Sequence, residues 1–339
     1  MIIMRITRTE HRQTGKRRGT SKTARPVSVV VLNYNGRAIL ERTLKAMTRE
    51  ISCLAADSEI ILIDNASTDG SADLVARKFP AVRIIRKKEG LFLISFNEAV
   101  AKAKNEVVIL ANNDMIPDRG CFGRLAAGLE KDVFAVGPKV LCRDRKTINF
   151  TFARPRFRLG FLWIERVGSG EPDRGQYDFK RPVPSLCPPI ISAFSREKFL
   201  ALGGFDPFYL PAYWEDVDLG YSAWKRGWST LYDSGAVAVH DHQATISRTN
   251  RKETVLGWVN RNKHLFIVKN ISDGGMLLQY AIAAPFIVIA GTLRHGMTFL
   301  NGFVSAAARF QDARAKNRQD ERHRKLSDDE IFRRTGGKP

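Results

Sequence analysis

Three short apolar runs in the first third of the chain each stop abruptly at asparagine or aspartate. They cover residues 27–32, ending at Asn33, residues 59–63, ending at Asp64, and residues 107–111, ending at Asn112-Asn113-Asp114. Short apolar runs bounded by polar residues are typical of buried strands in a parallel sheet. The segments between them carry apolar residues at helical spacing, so the order strand, helix, strand predicts βαβ units with right-handed crossovers.

The polar residues that follow these runs predict a ligand site. In an open α/β sheet, ligands bind in the crevice outside the carboxyl ends of the strands. If the first and third runs are neighbours at the centre of the sheet, residues 33–35 and 112–114 face each other across that crevice. Asp64 then lies one strand away, and three polar strand ends converge on one place.

A second group of polar residues lies in the region 203–242. An aromatic loop ends at Tyr213-Trp214, and Glu215, Asp216 and Asp218 open a helix that we expect to end at Gly227. Carboxylates in a first turn can serve as helix caps alone, but the aromatic loop before them favours a concave wall. A predicted strand at 236–239 then leads to His240 and His242, which alternation places on the same side; a single such histidine can equally be structural.

Charge and cysteine spacing restrict where the protein works. The 339 residues carry a formal net charge of +20 and a pI of about 10.1, which calls for a polyanionic partner such as nucleic acid, an anionic membrane or phosphorylated substrates. The four cysteines have no CxxC spacing, which fits a reducing, cytoplasmic compartment. Residues 1–25 are basic and lack the apolar core of a secretory signal, so we expect a disordered arm.

An uncharged run from Met276 to Leu293 follows the region of the candidate site. As a helix it would span roughly 27 Å, barely the thickness of the hydrocarbon layer. An interfacial helix, a membrane span and a core helix all remain open. Basic residues beside a half-buried apolar helix favour anionic lipid, which joins the charge to the interfacial interpretation. Residues 309–339 alternate in charge and predict a solvated helix or a disordered tail.

Taken together, these motifs resemble the family 2 glycosyltransferases, and most closely their rhamnosyltransferase-like branch. The matching segments are residues 30–35, 63–71, 112–114, 203–206 and 214–219, then His240, Arg261-Asn262-Lys263 and Lys269-Asn270. The resemblance covers residues 26–270. One segment departs from the family pattern, because in residues 90–97 only Gly90 and Asn97 match.

The resemblance implies a GT-A fold of the α/β class, with a Rossmann-like, mostly parallel central sheet flanked by helices. In this chain we expect C-terminal membrane-associating helices to follow it. The implied domain is 26–270, with a nucleotide-sugar-binding half at 26–117 and an acceptor-binding half at 118–270. An apolar membrane-associating segment at 271–308 and a charged tail at 309–339 would complete the chain.

The resemblance also implies an activity and roles for the residues. It implies transfer of a sugar from a nucleotide-sugar with inversion, assisted by a divalent cation, Mg²⁺ or Mn²⁺, held by Asp114 and His240. The catalytic base would be Asp216, with Glu215 as the second choice. Acceptor contacts would come from Tyr213, Trp214 and Asp218. The nucleotide-sugar would contact Asn33, Tyr34, Asn35, Asp64, Asn65, Asn97, Asn112 and Asn113.

The leading donor is dTDP-rhamnose, with UDP-sugars next. The expected acceptor is a glycan, in particular a lipid-linked glycan for a cell-surface polysaccharide, met at the inner face of the cell membrane. A nucleic-acid-binding protein is the alternative suggested by the charge, but the sequence has no basic motif interleaved with aromatic residues, and no nucleic acid is expected. A nucleotidyltransferase would need an early Gly-rich signature with a basic residue, and a silent relative would not keep the set Asp64, Asp114, Asp216 and His240.

Overall fold

A computed structural model describes residues 25–241 and 251–338. The first half alternates strands and helices as predicted. Its elements are β1 (Val27–Asn33), α1 (Arg37–Ile51), β2 (Glu59–Asp64), α2 (Ser71–Lys78), β3 (Arg83–Arg86), α3 (Ser95–Lys102), β4 (Val107–Asn112), β5 (Met115–Pro117) and α4 (Cys121–Ala127). The basic arm predicted at the N-terminus, up to residue 24, and His242 lie outside the described residues.

The second half completes one large sheet. Its elements are β6 (Val133–Cys142), β7 (Ile148–Phe150), β8 (Ala153–Arg158), β9 (Phe161–Arg166), β10 (Val183–Pro184), β11 (Ile191–Ser195), α5 (Arg196–Ala201), α6 (Glu215–Lys225) and β12 (Ser229–His240). The ten-stranded sheet has the order β10-β12-β6-β11-β4-β1-β2-β3, with β5 on β12 and β7 on β6. Strands β8 and β9 form a separate hairpin.

The parallel strands β3, β2, β1 and β4 explain the apolar runs. Alternate residues of β1 belong to two different hydrophobic clusters: Val29 and Val31 to one, Val30 to the other. Both faces of this part of the sheet are therefore buried, which is why the strands read as continuously apolar. Strand β1 pairs in parallel with β2 and with β4. The central neighbours are those predicted, and the mostly parallel sheet flanked by helices is confirmed.

Strand β12 begins earlier than the strand predicted at 236–239, because it already starts at Ser229. It pairs in parallel with β6, with a register shift between Asp233 and Val237. The turn-like Asp233-Ser234-Gly235 forms an irregularity inside β12 and does not separate two strands, because the neighbouring strand continues past it. The predicted part of β12 carries His240 to the same edge of the sheet as Asp114, since β12 also pairs with β5, placing His240 opposite Met115.

The C-terminal part is helical. It contains α7 (Lys252–Asn270), α8 (Gly274–His295), α9 (Met297–Ala307), α10 (Phe310–Glu321) and α11 (Asp328–Arg334). Within the described ranges, α8 is the one helix long and apolar enough to cross a membrane, judged by length and composition alone. The residues after 309 were predicted to form a solvated helix or a disordered tail. Helix α10 is largely exposed, with Ala313 as its buried residue. Helix α11 instead folds back onto the domain, where Ile331 and Phe332 are buried.

Candidate active site

Asn33 connects three strand ends at the crevice. Its side chain is fully buried, and its amide nitrogen donates to Asp64 Oδ1 at 3.1 Å and to Ser71 Oγ at 2.8 Å. Its amide oxygen accepts from Asn113 Nδ2 at 2.7 Å. Side chains from the ends of β1 and β2, and from the turn after β4, therefore form one hydrogen-bonded unit, as the convergence of these strands predicts.

The loops around this unit are also held in place. Asn65 Oδ1 accepts from the Leu91 backbone at 3.1 Å and from Ser95 Oγ at 2.7 Å, which fixes the segment that departs from the family pattern. Asn35 accepts from the Thr68 backbone at 2.8 Å, and Tyr34 is exposed at the rim. A Cβ at Gly36 would lie 2.1 Å from Asn113 Nδ2, so glycine is required where β1 leaves the sheet.

Asp114 and His240 meet at the edge of the crevice. The His240 Nε2 atom lies 3.1 Å from Asp114 Oδ2, and its Nδ1 atom lies 3.3 Å from Asn149 Oδ1, which orients the ring. The other oxygen of Asp114 is buried and has no hydrogen-bond partner among the described residues. A buried carboxylate oxygen without a donor is costly, and beside an imidazole nitrogen it suits a divalent cation. The described residues contain no cluster of three or more such ligands.

The aromatic loop before α6 adopts a strained conformation. Tyr213 and Trp214 both have a φ of 77°, a left-handed region that bulky residues rarely occupy. Asn262 on α7 holds this loop, because its Nδ2 atom donates to the carbonyls of Tyr209, Ala212 and Tyr213 at 2.7–2.9 Å. The Trp214 ring also packs on Phe266, with centroids 5.1 Å apart. The two residues predicted to contact an acceptor are therefore fixed from behind by α7.

Glu215 and Asp216, at the start of α6, have different surroundings. Glu215 is 6% exposed and its Oε2 atom has no hydrogen-bond partner among the described residues. Burial, and then the neighbouring charge of Asp216, raise the pKa of Glu215 to about 8. Asp216 is partly exposed and accepts from the Val217 backbone at 2.8 Å. Glu215 is therefore mainly protonated at neutral pH.

Asp218 and Asn97 form hydrogen bonds with other groups of the protein. Asp218 is buried, and its oxygens accept from Tyr209 Oη at 2.8 Å, Lys269 Nζ at 2.7 Å and Asn270 Nδ2 at 2.7 Å. Asn97 pairs with the backbone of Phe205 through both its amide nitrogen, at 2.8 Å, and its amide oxygen, at 2.9 Å. Protein groups already satisfy both side chains, while the acceptor contact expected of Asp218 and the donor contact expected of Asn97 stay predictions.

Several residues that hold the site were not predicted as such. Asn149 orients His240, and Lys269 joins Asp206 to Asp218 at 2.8 and 2.7 Å. The Arg261-Asn262-Lys263 and Lys269-Asn270 motifs are visible in the sequence, but their role in bracing the aromatic loop depends on how α7 packs. Asn149 has no sequence signal, because it lies on the short edge strand β7.

Solved glycosyltransferase structures resemble this fold. The crystal structure of GalNAc-T7 with UDP, GalNAc and Mn²⁺ superposes with a TM-score of 0.60 and 16% identity over 89% of this chain, which spans 58% of that protein's length. The structure of residues 1–349 of S. aureus TarS in complex with UDP-GlcNAc gives a TM-score of 0.54 and 15% identity, covering 88% of this chain and 89% of that one. At this identity the likeness establishes the GT-A fold alone.

Sequence comparison identifies the family. The chain is 28% identical over 242 residues to the N-acetylglucosaminyl-diphospho-decaprenol L-rhamnosyltransferase of Mycobacterium tuberculosis strain H37Rv, covering 64% of this chain and 76% of that protein. The same match is found for the protein of strain CDC 1551. The profile described as Glycosyl transferase family 2 matches residues 28–200, about half of the chain. With the fold and these matches together, the chain belongs to glycosyl transferase family 2.

Proposed function

We propose that this glycosyltransferase moves a sugar from a nucleotide-sugar to a glycan acceptor, with inversion at the anomeric carbon. The observation that carries the proposal is the Asp114–His240 pair, in which the buried Asp114 Oδ1 has no hydrogen-bond donor within residues 25–241 and 251–338. The pair lies beside the Asn33 unit and not inside the hydrophobic core. The best candidate for the donor is dTDP-rhamnose, supported by the name of the mycobacterial relative; UDP-sugars are the second candidate.

The strand-end residues would bind the nucleotide half of the donor. Asp64, held by Asn33 at 3.1 Å, would accept a hydrogen bond from the pyrimidine base, and Asn112 would approach the ribose. Asp114 and His240 would hold a Mg²⁺ or Mn²⁺ ion, which when bound would offset the charge on the diphosphate leaving group. Asn35, Asn65, Asn113 and Tyr34 would line or shape the same pocket.

The start of α6 would act on the acceptor. Asp216 would take the proton from the attacking hydroxyl, since a general base needs an ionised carboxylate at working pH. Glu215 would donate a hydrogen bond in its neutral form, because its pKa is raised to about 8 by burial and then by Asp216. Tyr213 and Trp214 would stack against the sugar of the acceptor, and their strained backbone would hold the rings in one orientation.

The acceptor would be a lipid-linked glycan for a cell-surface polysaccharide, met at the inner face of the cell membrane. Support comes from the mycobacterial relative, which is named for an N-acetylglucosaminyl-diphospho-decaprenol acceptor, and from the exposed apolar side chains of α8. The net charge of +20 would favour an anionic membrane surface. The protein would then be cytoplasmic and peripheral.

The donor site is tested by calorimetric titration of the purified chain with dTDP, UDP and GDP, each with and without Mn²⁺. We expect a metal-dependent preference for dTDP that is lost in Asp114→Ala. Asp118→Ala serves as the control, because Asp118 binds Arg145 near the surface and lies outside the proposed site.

The outcomes separate the parts of the proposal. A preference for UDP would change the proposed donor from dTDP-rhamnose to a UDP-sugar and leave the proposed mechanism unchanged. Equal binding by Asp114→Ala would reject the metal ligand. If none of the nucleotides binds under any condition, the proposal of a nucleotide-sugar donor fails.

A further inference from the structure

A cavity of about 620 Å³ lies between α7, the first turns of α8 and α10. It has two unlike walls. The apolar wall includes Ile271, Leu277, Tyr280 and Phe310, and the polar wall carries Arg314, Arg318 and Arg324. We refer to it as the α10 cavity. The combination of an apolar wall with several guanidinium groups fits an amphiphilic anion.

Few acidic side chains neutralise the positive charges of the arginines in the α10 cavity. Arg314 and Arg318 are exposed. Within the described ranges, their guanidinium groups form no ion pair and no hydrogen bond with another side chain or with the backbone. They lie four residues apart on α10, where like charges repel. Arg324 donates to Asn317 Oδ1 at 3.0 Å. The acidic member of the lining is Glu321, so three positive charges face one negative charge.

The polar wall is held in a fixed position. Asn317 Nδ2 donates to the carbonyl of Lys269 at 2.7 Å and to that of Ile271 at 3.2 Å. These bonds attach α10 to the end of α7, whose last carbonyls lack helical partners. The arginines therefore project from a helix that is anchored to the domain.

The cavity shares the first turns of α8 with an exposed apolar stripe. Leu277 and Tyr280 line the cavity, while other residues of α8 at intervals of three and four are 60–84% exposed: Leu278, Ile282, Phe286, Ile289 and Leu293. Side chains at these intervals share one helix face. Leu277 and Tyr280 point away from this stripe on α8, so an amphiphile seated in the cavity would lie on the side of the helix opposite the surface proposed above to meet the membrane.

We propose that the α10 cavity binds the headgroup phosphate of an anionic phospholipid. Arg314 and Arg318 would contact the phosphate oxygens, since guanidinium groups match phosphate geometry. The start of an acyl chain would lie along Leu277, Tyr280 and Phe310. A free phosphate ion would leave this apolar wall unused, which favours the lipid. The inference rests on one part of the proposed function, namely that the chain works at a membrane.

This site is separate from the acceptor site. Ser272 lines the cavity and binds Lys225 at 2.8 Å, whereas Glu215 and Asp216 lie at the opposite end of α6. A helix of the length of α6 spans roughly 16 Å. The bound lipid would therefore anchor the enzyme and not supply the reacting hydroxyl.

The experiment measures binding of the full chain to phosphatidylcholine vesicles with and without phosphatidylglycerol. We expect the double variant Arg314→Gln, Arg318→Gln to bind the anionic vesicles roughly thirtyfold more weakly than the unmodified chain. The matched control is Arg322→Gln, Arg333→Gln. It removes the same charge from exposed positions outside the cavity, and its loss should be several-fold smaller.

Competition with inorganic phosphate and glycerol 3-phosphate identifies the source of the anion. Weak competition by both at millimolar concentration is the expected result. Equal losses in the two double variants, or displacement by inorganic phosphate alone, would overturn the lipid site. If the unmodified chain binds neither kind of vesicle, the site and the membrane part of the proposed function both fail. Nucleotide titration would still test the transferase independently.

Discussion

Asn33 is a single side chain on which the geometry of the crevice depends. Replacing it with alanine would leave Asp64, Ser71 and Asn113 without a shared partner in a buried place. Each unsatisfied buried group costs about 1–3 kcal/mol. We therefore expect Asn33→Ala to lower the free energy of unfolding by about 2–4 kcal/mol and to weaken nucleotide binding, measured by urea denaturation and calorimetry.

Asn112→Ala is the matched comparison for that variant. Asn112 is partly buried at the end of β4 and has no side-chain hydrogen bond within the described residues. Its stability should change by less than about 1 kcal/mol, while nucleotide affinity falls if it approaches the ribose. A large loss of stability in Asn112→Ala, or none in Asn33→Ala, would contradict the role of Asn33 as a shared hydrogen-bond partner that stabilises the crevice.

The protonation of Glu215 predicts how stability depends on pH. Its pKa is about 8 in the folded protein because of burial and then Asp216, and near 4.3 when unfolded. The folded state holds the proton more tightly, so the contribution is complete below the unfolded pKa and is lost as the pH rises through 8. Between about pH 6 and about pH 9, wild type should lose roughly 2–3 kcal/mol more than Glu215→Gln.

Urea denaturation of both proteins at the two pH values measures that difference. Asp218→Asn is not a suitable control, because Asp218 binds Lys269 directly. Glu197→Gln is preferable, since Glu197 lies at the surface of α5 away from the site. Parallel pH profiles for wild type and Glu215→Gln would mean that Glu215 is ionised in the folded protein.

At the scale of elements, α11 holds α6 in place. Asp328 is buried, and its carboxylate pairs with Lys225 of α6 and accepts from the Tyr221 hydroxyl, Ser272 N–H at 2.8 Å and Asp273 N–H at 2.8 Å. Burial opposes ionisation, but the charge of Lys225 and these donors lower the pKa of Asp328. One residue of α11 thus joins the end of α6 to the start of α8.

Removing this carboxylate should be costly. We expect Asp328→Ala to lower the free energy of unfolding by about 3–5 kcal/mol, because Lys225 would remain buried and unpaired. Asp329→Ala, one residue along and exposed, should cost less than about 0.5 kcal/mol. Thermal or urea denaturation compares the two variants. Equal stabilities of Asp328→Ala and Asp329→Ala would show that α11 does not hold α6 in place through Asp328.

These elements also show where sequence reasoning succeeds and where it stops. The strands β1, β2 and β4 were predictable because both of their faces are buried, so the apolar runs are unbroken and their ends are sharp. The part of β12 before Gly235 was not, because the neighbouring strand β6 maintains the pairing across a turn-like segment that the sequence alone reads as a break. Asp328 reads as one charge among many in the tail. Its burial depends on Lys225, more than a hundred residues earlier.

In the candidate site too, some residues were predictable from the sequence and the contacts of others were not. Asp114 and His240 were predictable from motif order and strand alternation, and the structure brings them within 3.1 Å. Asn97 and Asp218 belong to the same motifs but turn toward the backbone of Phe205 and toward Lys269. A sequence motif identifies candidate residues. Which of their side chains point toward the crevice depends on how the helices and strands pack.

At the scale of the whole molecule, the net charge and the stripe on α8 act together. The charge of +20 would draw the chain to an anionic surface over about a Debye length, and the stripe would then enter the boundary of the headgroups. Phe286 is 70% exposed, so Phe286→Asn should leave stability nearly unchanged. Vesicle affinity should fall roughly tenfold, because a large apolar side chain no longer enters the bilayer.

Flotation with anionic vesicles at low and high salt separates the two contributions. The matched control is Leu200→Asn on α5, which removes an exposed apolar side chain elsewhere on the surface and should leave binding unchanged. High salt should weaken every variant by screening the charges, while the ratio between Phe286→Asn and wild type stays constant, since burial of apolar area is not screened. A ratio that collapses at high salt, or an equal loss in Leu200→Asn, would show that charge alone holds the protein at the membrane.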